Sequence, residues 1–188
     1  TYDASGNPVA VATGDDGQIL TSAGAGQPCA FEAAAGGGKI GQVVQALKTD
    51  GASTTSTSFV TTGLAVAITP TATDSKILLF VNLGSISNRW GGRRTHFLID
   101  GGNCATYIGD AGTGHEVAVA YREHYDQYNN HPASMMYLDA PSTTSEVTYT
   151  VHYMEGTGDG NACINTPYLA SSDSGNAAST IIAMEVLA

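Results

Sequence analysis

The stretch EVTYTVHYME, residues 146–155, constrains this chain more than any other. Val147, Tyr149, Val151 and Tyr153 alternate with Thr148, Thr150 and His152. A period of two places the first set on the buried face of a β-strand and leaves the second for solvent or a neighbour. Nine further runs of apolar and β-branched residues read as strands: 41–47, 64–70, 76–86, 95–100, 104–109, 116–125, 134–140, 162–169 and 180–188. Turn signals separate them at a spacing that suits a β-sandwich or barrel.

No segment combines a 3.6-residue period with caps, so an all-β fold is expected. Composition agrees, since only 13% of the residues are charged and 23 of 188 are glycine, which favours strands and turns over long solvated helices. Asp100-Gly101-Gly102-Asn103 tolerates the positive φ of a tight turn, predicting that 97–99 and 105–108 pair as a hairpin. Residues 140–146 and 155–162 read as two more reversals.

The first 38 residues are different. They are poor in large apolar side chains and end in AAAGGG, residues 33–38, which reads as a hinge. Domain boundaries are therefore expected at 1–38 for a leader and 39–188 for the main body. Within the leader, residues 18–21 and 29–31 are strand-like but have little near them to build a core. Because the chain starts at Thr1 with no charged-then-apolar leader sequence, it is expected to be the tail end of something longer.

Net charge is -10, which argues against a groove that tracks phosphates, so nucleic acid is not an expected partner. Arg89, Arg93 and Arg94 cluster, and they read as a solvated turn. No run of about 18 apolar residues is present, so no membrane insertion is expected. Cys29, Cys104 and Cys163 are odd in number and widely spaced, which suggests buried free thiols instead of a disulfide framework or zinc ribbon.

Catalysis is not expected. There is no G-x-S-x-G elbow, and His96, His115, His124, His131 and His152 stand apart from any motif. His124, Asp126 and His131 are a weak metal candidate, because 124 and 126 share a strand face and a loop can return 131, although a polar loop tip explains the same residues. Glu155, Asp159 and Asn161 are a weaker candidate for calcium. No cofactor is called for.

Sugar binding has more to recommend it. Trp90, the only tryptophan, sits beside Asn88 and Arg89, a setting that suits stacking on a pyranose ring while the polar groups read hydroxyls. The competing reading anchors Trp90 on the end of the sandwich. Tyr125, Asp126, Gln127, Tyr128, Asn129 and Asn130 combine rigid amphipathic rings with adaptable amides, the chemistry of a paratope.

The order DGQILTSAGAG, IGQVVQALKTD, TSFVTTGLAVAITPTATDSKILLFVNL, FLIDGGN, YIGD, MMYLDAPSTTSEVTYTV and STIIAMEVLA resembles the tail-fibre and tail-fibre-like virion proteins of tailed bacteriophages, from about residue 14 to the end. The resemblance implies a homotrimer with a jelly-roll-like β-sandwich head on a Gly-rich intertwined stalk, in which Gln18, Ile19, Leu20 and Phe31 pack against the same segment of two sister chains. Small residues suit that role, because they let three backbones approach around an axis and cover one another's edges. It further implies a place in the virion, other virion proteins at the N-terminal end, and a bacterial surface glycan or protein as target. Residues 86–102 and 124–132 depart from the family pattern and are where individuality is expected. A capsid head fibre or decoration protein is the alternative, and a glycan-degrading tailspike the third.

Overall fold

The protein is described here by a computed structural model, which defines residues 5–8, 10–11, 13–22, 27, 29–33, 39–89, 93–104, 108–109, 118–124, 130–167 and 175–188. Two compact units divide the chain, Thr1–Lys39 and Ile40–Ala188. The described residues form β-strands and turns and contain no α-helix.

In the first unit β1 (Gln18–Thr21) pairs antiparallel with β2 (Ala30–Ala33), Ile19 facing Glu32 and Leu20 facing Phe31. The two strand-like pieces of the leader thus pair with each other along one edge within one chain. Their side chains gain little shelter. Ile19, Leu20 and Phe31 stay 47%, 54% and 37% exposed.

The second unit is an antiparallel β-sandwich. Its strands are β3 (Ile40–Lys48), β4 (Ala52–Thr54), β5 (Val60–Ile68), β6 (Lys76–Ser87), β7 (Arg93–Asp100), β8 (Ala120–His124), β9 (His131–Asp139), β10 (Val147–Glu155), β11 (Ala162–Ile164) and β12 (Ser179–Val186). One sheet runs β5-β10-β7-β8, and the other β3-β12-β6-β11-β4 with β9 on β6. Alternation builds the core between them. Tyr149, Val151 and Tyr153 of β10 point inward with Phe97, Ile99, Leu64, Val66 and Ile68 of one sheet, against Ile77, Leu79, Val81, Leu83, Met135, Ile181 and Ala183 of the other.

Several sequence expectations need correction. Phe97, expected to pair within 105–108, faces Tyr153 of β10 and Ala120 of β8 instead, and Ile99 faces Val151 of β10. The turn itself forms, with Gly101 and Gly102 at φ +125° and +53° and the Cys104 amide donating to the Gly101 carbonyl at 3.0 Å. Cys104 lies in that turn instead of starting a strand, and residues 105–107 lie outside the described residues. The expected strand over 162–169 stops at Ile164, because Asn165 adopts φ +60°. That conformation aims the Asn165 amide at the carbonyls of Lys48 and Asp50.

The two outer faces differ. On the four-stranded sheet, Thr61, Ala67, Arg94, Asp100 and Thr148 are exposed, a mostly polar or small-residue surface usual for an antiparallel sandwich, with one exposed aromatic, Tyr121, stacked on His96. Register lines up three rows on the other sheet. Val43, Met184, Leu78 and Leu138 form one row; Gln45, Ile182, Phe80 and Met136 the next; Leu47, Thr180, Asn82 and Ser134 the third.

Candidate binding site at the loop end of the sandwich

Strand register gathers loops that are far apart in sequence. Across β7 and β8, Arg93 faces His124; across β6 and β9, Ile86 faces His131. The described residues on either side of 90–92 and 125–129, Arg89, Arg93, His124 and Asn130, therefore lie at the same end of the sandwich. Ser85 ties them further by donating from its hydroxyl to Asn130 Oδ1 at 3.3 Å. The loop 156–161 emerges there as well, since Glu155 faces Thr95, and the Glu155 amide donates to the Ser56 carbonyl at 2.8 Å.

At the other end of the same body, Ile40 faces Val186 and Val186 faces Lys76. The chain thus enters the sandwich at the base, separated from the loop cluster by roughly 35 Å of β6 at the usual strand rise.

Asn88 holds the cluster together. Expected among the residues that touch a ligand, it is instead fully buried. Its Oδ1 accepts from the Arg89 amide at 2.7 Å and the Asn161 amide at 3.1 Å, while Nδ2 donates to Thr95 Oγ1 at 3.3 Å. With its polar atoms committed to the framework, Asn88 positions the loop and leaves contact to its neighbours. Arg89 and Asn130 are exposed at the surface of the cluster. Trp90, Tyr125, Asp126, Gln127, Tyr128 and Asn129 lie outside the described residues, so the aromatic part of the site is carried by sequence alone.

The expected solvated turn of arginines is partly a framework too. Arg93 donates from Nη2 to Asp159 Oδ2 at 2.7 Å and pairs through Nη1 with the second carboxylate oxygen, a two-pronged geometry that fixes one loop against another. Arg94 remains exposed.

Glu155 is not an open calcium ligand. Its carboxylate, fully buried, accepts from the Thr157 amide at 2.9 Å, the Thr157 hydroxyl at 2.7 Å and the Gly158 amide. Burial works to raise the Glu155 pKa, yet these donors and the Gly160 amide hold its carboxyl below the ordinary range. Gly160 has to be glycine here, because a Cβ would lie 2.6 Å from both Asn88 Oδ1 and Glu155 Oε1. Asp159 is engaged by Arg93, and among the described residues no three His, Cys, Asp or Glu side chains gather as a metal site. Of the His124, Asp126 and His131 set, Asp126 lies outside the described residues, while His131 is half-buried at the start of β9.

Sequence reasoning missed the framework role of Asn88 and the pairing of Arg93 with Asp159. It also missed the apolar outer face built on Phe80, Met136 and Leu138. The last had a signal: KILLFVNL and SMMYLD carry apolar residues at both parities, the mark of a strand covered on two sides.

No protein-family model matches the chain, and no curated protein sequence does either.

Proposed function

We propose that this chain is the head-bearing part of a trimeric bacteriophage fibre that attaches to the bacterial surface through the loops at the far end of its sandwich. The observation that carries the reading is the separation of ends: the chain enters at Ile40, and Arg89, Arg93, His124, Asn130 and the loop 156–161 lie at the opposite end. A fibre head needs that polarity, with its mount on one side and its contacts on the other.

The strand order supports a jelly-roll type of sandwich. Taken in sequence, the eight longer strands fall into one sheet as first, eighth, third and sixth, and into the other as second, seventh, fourth and fifth, the order that two interleaved Greek keys produce. The short strands β11 and β4 extend one sheet at the loop end. Attachment by such a head is multivalent. Three modest sites on one rigid body raise avidity without a deep pocket at any one of them, which fits loops rich in tyrosine and asparagine.

The test compares the purified chain with a variant carrying Trp90→Ala, Tyr125→Ala and Tyr128→Ala. Fluorescently labelled protein should be retained by intact cells of a susceptible strain, and the variant should lose that retention while keeping its thermal transition. Equal retention of both proteins would remove the loops from the contact.

A further inference from the structure

The outer face of β3, β12, β6 and β9 carries a contiguous set of exposed apolar side chains, where the outer face of the other sheet shows one large exposed ring, Tyr121, among the described residues. Val43, Leu47, Phe80, Met136 and Leu138 are 38–62% exposed, and together present on the order of 500 Å2 of apolar surface, near the top of what monomeric proteins leave open. A shallow groove of about 390 Å3 runs between Phe80, Met136 and Ile182. On one side the face ends in β3, the outermost strand of its sheet, whose nine residues include two of the most exposed apolar side chains, Val43 and Leu47. A long apolar edge beside an apolar face calls for cover.

We propose that this face is covered by the same face of other copies of the chain, so that three heads meet along it around the fibre axis; this rests on the trimeric reading above. Charge favours a second copy as the occupant. The chain carries a net charge of -10, so copies repel one another wherever their carboxylates meet. None of the twelve side chains in the three rows is ionisable; Lys76 stands at the base margin.

The polar side chains of the face are also suited to burial. Gln45 donates to Thr180 Oγ1 at 3.1 Å, and the Ser134 hydroxyl donates to Asn82 Oδ1 at 3.0 Å. Side chains already bonded to one another lose less on leaving water than unpaired ones do. With the apolar rows they approach the roughly 800 Å2 per partner of a standard stable interface.

The face is tested by cross-linking the full chain in a Cys29→Ser background. Cys104 and Cys163 are buried, and burial pushes their thiols up to about 12 and about 11, so they stay silent to a maleimide. Met136→Cys, or Leu138→Cys should the first fail to fold, is compared with Thr148→Cys on the polar outer face. A short bifunctional maleimide should join chains through position 136 or 138 and leave the Thr148→Cys chains single. Adding Phe80→Glu should abolish the links.

A parent protein of trimeric mass that fails to link through the apolar face, or links equally through both faces, overturns this inference and leaves the trimer standing. A parent of monomeric mass overturns both. Links in a parent of dimeric mass would keep the face as a self-contact but overturn its three-fold arrangement.

Discussion

Buried polar side chains decide much at the residue scale. Asn88 Oδ1 accepts from the Arg89 and Asn161 amides inside a fully buried site, so Asn88→Ala should cost about 1–3 kcal/mol by removing that acceptor. Urea unfolding reads the loss directly. Glu185 predicts a pH dependence. Burial would raise its pKa, but the hydroxyl and amide of Thr71 and the amide of Gln42 hold the carboxyl down at about 2, against an ordinary 4.5.

The unfolded chain therefore takes up this proton first as pH falls. The stability that Glu185 contributes is complete above about 4.5 and is lost on the way down to about 2. Urea midpoints recorded from neutral pH downward should fall across that window, and Glu185→Gln should flatten this part of the curve. The thiols give a simpler check. In native protein at mildly alkaline pH only Cys29, which is half-buried, should be labelled by a maleimide, whereas denaturant should expose Cys104 and Cys163 as well.

Among the elements, the strands with one wet face were the easiest to read. The alternation in β10 predicts its buried set, Tyr149, Val151 and Tyr153, because a polar outer face leaves an unmistakable period of two. β6 and β9 announced themselves as strands but hid their second buried face, since an apolar run does not say what covers each side. β4, only three residues long, has too little sequence to carry a period and was not anticipated. The loop cluster could not be read from spacing at all. Its convergence depends on the pairing of β7 with β8 and of β6 with β9, which is long-range information. Phe97, fully buried between β10 and β8, is the element-scale test of that pairing. Phe97→Ala should cost about 3–5 kcal/mol, far more than truncating an exposed residue such as Thr148, by the same unfolding assay.

On the scale of the whole molecule, the account joins a self-contained sandwich to a leader that cannot shelter its own side chains. The core draws all its large members from the unit Ile40–Ala188. A chain starting at Ile40 should therefore keep a cooperative thermal transition. The leader hairpin, by contrast, leaves Ile19, Leu20 and Phe31 open, and the head leaves one sheet face open. Both surfaces are of the kind that copies of a chain can bury against one another. The most direct measurement is the mass of the purified full chain in solution at micromolar concentration, by light scattering or sedimentation. The account predicts a single species of three times 19.2 kDa; a stable species of 19.2 kDa would contradict it.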